Sequence, residues 1–281
     1  MIVSFHPLFV ADKNIICAGR DPNADDFAAI KAAAAVILPQ GCRQSLYEMA
    51  AANCQHVFPN YRVRFDFPGK IGQIRLFRET GTAHPPAELY PSAAEFKKQY
   101  GETFADFSLR LPCVFKFDWG GEGETVHLIN SRNDLKQVLT KATVFENSGQ
   151  RGFLLQQYVP TNGKTLRVII IGRAMISYWR IQQSSDGFMS SVSRGAQIDA
   201  ASQPELQNTA RLFIHDFCAK TAIDLAGFDV IFPAEKANSQ PLLLEINYFF
   251  GRKGLGGSAA YYEILKKEIN AWLSKTLNRQ D

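Results

Sequence analysis

The 281-residue sequence lacks the features that mark membrane, secreted and disulfide-rich proteins. No apolar run approaches the roughly 18 residues that a membrane-spanning helix requires, and the run at 32–39 ends at a proline. The start of the chain has neither the basic segment nor the apolar segment of a secretory signal. The five cysteines are scattered, whereas zinc sites and disulfide frameworks place cysteines at short, paired spacings. We therefore expect a cytoplasmic protein with buried, reduced thiols and no membrane partner.

The sequence also lacks a strong excess of charge of one sign. Thirty-one basic residues stand against 27 acidic ones, for a formal charge of +4. A dedicated nucleic-acid binder has a denser basic surface, so we expect no nucleic-acid partner. The mild excess favours anionic small molecules at most. The length predicts two domains, or one domain with a large appendage.

Several common catalytic motifs are missing as well. The glycine-rich segment near residue 120 ends without Gly-Lys-Ser/Thr and precedes a predicted strand, which excludes a Walker A loop and a dinucleotide-binding fingerprint. There is no Gly-x-Ser-x-Gly nucleophile elbow. The five histidines have neither metal-ligand spacing nor an adjacent nucleophile. The chemistry must therefore be sought among carboxylates, lysines and arginines.

The hydrophobic pattern divides the chain into an alternating first third and a strand-rich remainder. The first third is predicted to contain strands at 2–5, 15–18, 36–38 and 56–58, with helices at 25–34 and 45–52. This alternation is typical of a parallel α/β layer. Next we predict a helix at 70–79, an extended connector at 81–91 and a helix at 93–100. The remaining predicted strands are 114–117, 125–129, 153–159, 166–171, 175–181, 226–232 and 242–248, and the helices 134–141, 204–220 and from 258.

Breaks in this pattern predict three segments. The clearest boundary lies near residue 68, and a softer hinge lies near residue 160. We therefore expect an N-terminal α/β domain at 1–68 and two further units at 69–160 and 161–281.

Two carboxylates lie in apolar strands that we expect to form a hairpin. Alternate side chains of a strand share a face, so Glu245 and Asn247 point the same way. If Phe232 pairs with Leu242, Asp229 falls opposite Glu245. Opposed like charges destabilise a bare sheet, and a bound cation compensates them. Hard oxygen ligands suit Mg²⁺, although a solvated, exposed sheet face is the alternative interpretation.

A lysine on an apolar strand precedes the glycine-rich segment. Lys116 is followed by Gly120, Gly121 and Gly123 before the next predicted strand. Glycines let backbone N–H groups approach a phosphate closely, and a lysine adds a point charge. The pattern thus indicates phosphate binding, and an ordinary glycine-rich hairpin turn is the alternative.

Arginines in the first part of the third segment extend the basic set. Arg167 opens a strand, Arg180 ends the next, and Arg194 lies in a polar segment before Gly195. The guanidinium fork matches phosphate and carboxylate oxygens. Each alone is typical of a surface residue, but together with Lys70 they are suited to neutralising a polyphosphate beside the carboxylates.

Taken in order, these motifs resemble the ATP-grasp superfamily, in the branch of the glutamate-adding ligases that act on a ribosomal protein and of the glutathione synthetases. The resemblance runs from Lys70 to the C terminus. It implies a small N-terminal parallel α/β domain followed by a two-lobed ATP-grasp fold, with ATP and Mg²⁺ as cofactors and Mn²⁺ as an alternative. The implied phosphate-binding lysines and lid glycines are Lys70, Lys116, Gly120, Gly121 and Gly123.

The same resemblance implies the other site residues. The adenine hinge and its neighbouring nucleotide contacts would be Gln156, Gln157, Tyr158, Val159, Thr165 and Arg167. The catalytic arginines would be Arg180 and Arg194, and the metal ligands Asp229, Glu245 and Asn247. This sequence departs from the family pattern at three positions. Gln157 stands where the hinge usually has an acidic residue, Thr165 where Asp is usual, and Ser191 where Asn is usual. In addition, 248–250 replaces the usual Ser-x-Pro beside the acceptor site, so the resemblance does not identify the substrates.

The function implied is that of an ATP-dependent carboxylate–amine ligase that forms an acyl phosphate, with small molecules or a peptide or protein terminus as substrates. One rival is an ATP-grasp kinase that phosphorylates a hydroxyl with the same machinery. The other is a non-catalytic nucleotide-binding module, which the departures in the hinge and arginine motifs favour. The presence of Lys116 and of all three implied metal ligands argues against that second rival.

Overall fold

The computed structural model describes residues 1–101, 110–120, 125–182, 195–234 and 240–277. The N-terminal part is a four-stranded parallel sheet, sheet A, with strand order β2-β1-β3-β4. Its strands are β1 (Ile2–Ser4), β2 (Lys13–Asn14), β3 (Ala35–Ile37) and β4 (Val57–Phe58). Its helices are α1 (Ala24–Lys31), α2 (Gln44–Asn53) and α3 (Arg62–Asp66). The predicted parallel α/β layer is confirmed.

One predicted strand in this layer is wrong. Residues 15–18 are not a strand, and the short strand β2 lies just before them. Ala18 adopts a positive φ of 46°, which is incompatible with an extended ladder. Ile16 is 75% exposed, so its apolar side chain is not evidence of a buried strand at this position.

Sheet B follows as a four-stranded antiparallel sheet with strand order β5-β8-β6-β7. Its strands are β5 (Ala87–Tyr90), β6 (Cys113–Phe117), β7 (Val126–Ile129) and β8 (Phe153–Gln157). Helix α4 (Gly69–Glu79) precedes the sheet, and α5 (Ala93–Tyr100) and α6 (Arg132–Asn147) pack on it. Strand β5 lies inside the predicted extended connector 81–91, so that prediction missed an edge strand. Prolines tolerate an edge position, which explains the ambiguity.

Sheet C is the largest, with five antiparallel strands in the order β11-β10-β9-β12-β13. Its strands are β9 (Lys164–Ile171), β10 (Ala174–Ile181), β11 (Gln197–Asp199), β12 (Leu225–Ile231) and β13 (Leu242–Asn247). Helices α7 (Pro204–Thr221) and α8 (Ser258–Leu277) complete the fold, with a short 3-10 turn at Lys253–Leu255. Strand β11 and helix α3 had no counterpart in the sequence prediction.

Apolar residues cover both faces of sheet C. One face packs Val168 and Phe228 against Ile214 and Phe217 of α7. The other packs Ile169 and Ile171 against α8 and against sheet A. Toward the start of β9 this second face carries Arg167 and Thr165 instead of apolar residues, because side chains alternate along a strand. The polar end of this face is where the candidate site lies.

Three further observations bear on the expectations. Sheets A, B and C lie within residues 1–68, 69–160 and 161–281, respectively. The division of the chain into domains at these boundaries stays a prediction. All five cysteines are buried and unpaired. None of the helices in the described ranges has the length and apolarity of a membrane span.

Candidate functional site

A row of polar side chains crosses three strands of sheet C. Arg167 of β9 lies directly opposite Asp229 of β12, and Asp229 lies directly opposite Glu245 of β13. Residues directly opposite each other in a sheet share a face, so the three side chains project from the same side. Asn247, two residues after Glu245, projects from that side as well.

A β-bulge produces this register. Leu242 pairs with Ile231, one residue away from the predicted partner Phe232, so the predicted hairpin register is wrong. The register shifts between Asp229 and Val230, which leaves Leu244 as the extra residue of β13. The shift returns Glu245 to the position opposite Asp229. The expected pair therefore forms, but it forms because of the bulge, which the sequence does not reveal.

Two arginines hold the Asp229 carboxylate. Arg167 Nε lies 2.6 Å from Oδ1 and Arg180 Nη2 lies 2.7 Å from the same oxygen. Arg167 Nη2 also donates to Oδ2 at 3.2 Å. Burial alone would raise the pKa of Asp229, but the two guanidinium groups outweigh it and the pKa is lowered. The positive charge that the sequence argument assigned to a cation is therefore supplied in this structure by Arg167 and Arg180.

Neighbouring side chains fix these arginines in place. Arg180 Nε donates to Thr165 Oγ1 at 3.2 Å, across the β9–β10 pair. Arg167 passes over Gly227, where an added Cβ would lie 3.1 Å from Nη1 and 3.3 Å from Cδ of the arginine. Because Gly227 has no side chain, Arg167 has room to cross it and reach Asp229.

Asn247 and Glu245 complete the polar end of the sheet. Asn247 Nδ2 donates to Asp229 Oδ2 at 3.3 Å. Glu245 is half-buried and, within the described ranges, forms no salt bridge. Its carboxylate is therefore available to a ligand, whereas that of Asp229 is already engaged.

Two buried lysines that precede sheet C in the chain face this carboxylate. Lys116 on β6 and Lys70 at the start of α4 line one narrow cleft with Glu245 and Gln156. Burial lowers the pKa of Lys116 to about 8, with Lys70 adding to the effect and Glu245 and Asp229 opposing it. Burial also lowers the pKa of Lys70. Each lysine thus lies where an anion would relieve the desolvation of its ammonium group.

Lys70 currently bonds to the backbone that precedes the glycine-rich segment. Its Nζ donates to the carbonyl oxygens of Gly120 at 2.8 Å and Trp119 at 3.3 Å. The structure brings Gly120 to the cleft in this way. Gly121, Gly123 and Arg194 lie outside the described residues.

Asp118 joins the helix of Lys70 to the strand of Lys116, a role that the sequence reasoning missed. Its Oδ1 accepts a hydrogen bond from the backbone N of Ile71 at 2.7 Å and so satisfies the first turn of α4. Gly69 has φ +70°, and a Cβ there would lie 2.4 Å from Asp118 Oδ1. An acidic residue directly after a strand that bears a lysine was the available signal.

The hinge residues divide into one buried and three more accessible positions. Gln156 is 1% exposed, and its Nε2 has no hydrogen-bond partner among the described residues. Gln157 is exposed, and its backbone N donates to Pro86 O at 2.8 Å. Tyr158 and Val159 are half-buried. The Gln156 amide is thus a buried donor beside the two lysines.

Sequence comparison identifies the family. The model of the RimK-like ATP-grasp domain matches residues 84–267, well over half of the chain. The chain belongs to the RimK-like ATP-grasp domain family. The expected membership of the ATP-grasp superfamily and the α/β fold class are thereby confirmed. Members of this superfamily are mostly ATP-dependent ligases. A comparison with curated proteins finds no match.

Solved structures support the fold of this ATP-grasp protein. A RimK domain protein ATP-grasp from Sphaerobacter thermophilus has a TM-score of 0.61 at 12% identity, covering 95% of this chain and 98% of its own. N5-carboxyaminoimidazole ribonucleotide synthetase from Thermotoga maritima has a TM-score of 0.61 at 16% identity, with coverage of 97% and 68%. D-alanyl-alanine synthetase A from Vibrio cholerae has a TM-score of 0.60 at 13% identity, with coverage of 87% and 77%. At these identities the likeness shows the fold alone.

The donor set fits a Mg²⁺ ion that arrives with a polyphosphate. No group of three or more His, Cys, Asp and Glu side chains in the described ranges is placed to hold a metal ion by itself. Of the three predicted ligands, Glu245 offers a carboxylate and Asn247 an amide oxygen, whereas Asp229 would have to release an arginine before it could bind a metal ion. Mg²⁺ typically takes one or two carboxylates and completes its shell with phosphate oxygens and water. The chemistry of the residues is therefore that of a nucleotide-associated metal site.

Proposed function

We propose that this ATP-grasp protein is an ATP- and Mg²⁺-dependent ligase that joins a carboxylate to an amine through an acyl phosphate. The observation that carries the proposal is the cleft itself, where two buried lysines face Glu245, whose partner across the β12–β13 pair is the arginine-bound Asp229. The described residues lining this cleft include no serine, cysteine or histidine. This composition favours catalysis by positioning and charge over covalent catalysis.

In this proposal the lysines bind the nucleotide. Lys70 and Lys116 contact the phosphates, since both lie buried without a directly bonded carboxylate in the described ranges. Gly120, Gly121 and Gly123 form the lid over them. Residues 156–159 bind the adenine, with Thr165 and Arg167 as the neighbouring contacts.

The reaction then needs charge stabilisation at two steps. A carboxylate oxygen of the first substrate attacks the γ-phosphorus, the bond to the β–γ bridging oxygen breaks, and ADP leaves. The amine attacks the acyl carbon, expels phosphate and loses a proton, which gives the amide. Arg180 and Arg194 stabilise the negative charge that develops on the transferred group. Glu245 and Asn247 would hold Mg²⁺, joined by Asp229 if it releases an arginine, and the ion would supply further neutralisation of phosphate charge.

Nucleotide binding is tested by thermal unfolding with and without Mg-ATP. At an ATP concentration about one hundred times Kd, binding adds about 2.7 kcal/mol, which corresponds to a Tm rise of roughly 5 °C or more for a chain of this size. Glu245→Ala should lose most of this rise. Glu263→Ala is the matched control, because Glu263 is exposed on α8 and, among the described residues, pairs with Lys266 alone. Absence of any rise in the unmodified protein would refute the nucleotide-binding proposal.

The chemistry is tested by its intermediate and products. The protein is incubated with Mg-ATP and candidate acids, and hydroxylamine is added to trap an acyl phosphate as a hydroxamate. ADP and phosphate release is then measured across a panel of amino acids and peptides as amines and of polyols as alcohols. Amide formation supports the ligase, whereas a stable phosphorylated alcohol with no hydroxamate would establish the kinase instead.

A further inference from the structure

A glutamine on α4 forms a two-point contact with the edge of sheet C. Gln73 Nε2 donates to Ile246 O at 2.9 Å, and Ile246 N donates to Gln73 Oε1 at 2.8 Å. The carboxamide therefore satisfies both backbone groups of one residue, as a neighbouring strand would. Strand β13 is the last strand of sheet C, so this contact replaces the missing ladder at that position.

The contacted residue lies between the two predicted metal ligands of β13. Ile246 is flanked by Glu245 and Asn247, whose side chains project from the opposite face to its own. Fixing the peptide groups of Ile246 thus restrains the backbone that orients both ligands. The bulge at Leu244, two residues before Ile246, interrupts the regular ladder of β12 and β13, so a restraint from outside the sheet contributes more to the position of this segment.

The same helix carries the phosphate-binding lysine. Lys70 and Gln73 are three residues apart on α4, hence neighbours on one helix face, and both line the cleft. Since a helix is a stiff element, the Gln73 contact sets the distance between the Lys70 ammonium and the Glu245 carboxylate. We propose that Gln73 is a positioning residue that holds Glu245 and Asn247 in register with Lys70 for binding of Mg-ATP. This inference rests on the proposed function.

The test uses Gln73→Met, which keeps the length of the side chain and removes both hydrogen bonds. Gln73→Asn keeps the amide but is one methylene too short to make the contact. Gln207→Met is the matched control, because Gln207 is a buried helical glutamine whose Nε2 donates to Ala200 O and Ser202 O in the connection between β11 and α7. All variants are titrated with Mg²⁺ at fixed ATP, and the thermal shift is recorded alongside ATP affinity without metal.

The expected result is a split between the two glutamines. Loss of a residue that orients metal ligands typically weakens metal affinity 10- to 100-fold, so both Gln73 variants should need about tenfold more Mg²⁺ or higher for a half-maximal shift. Gln207→Met should lower the Tm of the free protein and leave the Mg²⁺ requirement unchanged. A Mg²⁺ requirement unchanged in the Gln73 variants, or raised equally by Gln207→Met, would overturn the positioning role while the proposed function stands. No Mg-ATP shift in the unmodified protein would instead refute the proposed function.

Discussion

The buried ammonium of Lys116 makes nucleotide binding depend on pH in a range where an ordinary lysine does not titrate. Burial lowers its pKa to about 8, so in the free protein the group loses its proton between neutral and mildly alkaline pH. A phosphate binds the protonated form, and its charge then stabilises that form further. Affinity for ATP should therefore fall as the pH rises above 8.

The size of the fall follows from the protonated fraction. With a pKa of about 8 this fraction drops from roughly three quarters at pH 7.5 to about one tenth at pH 9, which predicts about an eightfold loss of affinity, or about 1.2 kcal/mol. A lysine with the ordinary pKa of about 10.4 would stay almost fully protonated over this range. Lys70, whose pKa is also lowered, changes affinity in the same direction.

Calorimetric titration with ATP in the absence of Mg²⁺ measures this dependence without contribution from metal binding. Lys116→Arg is the informative variant, because a guanidinium stays charged throughout and its pH profile should be much flatter. A flat profile for the unmodified protein between pH 7.5 and 9 would refute the reasoning. The same pKa carries a stability effect of defined sign: the unfolded lysine retains its proton up to about pH 10, so the free energy of unfolding should rise with pH between about 8 and 10.

Two substitutions test the packing of the site. Asp229→Asn leaves Arg167 and Arg180 without their buried counter-charge and should lower the free energy of unfolding by about 3 to 5 kcal/mol in urea, whereas a loss below about 1 kcal/mol would show that the ion pairs do not stabilise the fold. Gly227→Ala places a methyl group 3.1 Å from Arg167 Nη1. This substitution should lower the free energy of unfolding by about 1 to 3 kcal/mol and should also weaken nucleotide binding. Gly251→Ala, which meets no atom within 4 Å, is its control, and equal losses in both would contradict the proposed displacement of Arg167.

The sequence predicted which residues form the site better than it predicted the contacts between them. Asp229, Glu245 and Lys116 stand out because each is a charged residue within an apolar strand, and such residues require partners. The sequence does not reveal that Arg167, 62 positions before Asp229, is one of those partners. Pairing across adjacent antiparallel strands depends on register, and nothing local in either strand specifies it.

Gln73 illustrates a different limit. On α4 it reads as an ordinary polar residue of an amphipathic helix, and its contact with Ile246 spans 173 positions. Strand β5 was missed for a related reason, because a four-residue edge strand beside prolines has the composition of a connector. In both cases tertiary contacts supply what local propensity leaves undecided.

The bulge at Leu244 separates the β12–β13 pair into two independently registered halves. Near Leu242 the register is that of the hairpin, and near Asn247 it is shifted by one residue and held by Gln73 from outside the sheet. The register at Leu242 therefore does not by itself determine which residue of β13 lies opposite Asp229. The direction in which the Glu245 carboxylate points accordingly depends on a helix residue 173 positions before Ile246, and not only on the hairpin that carries it.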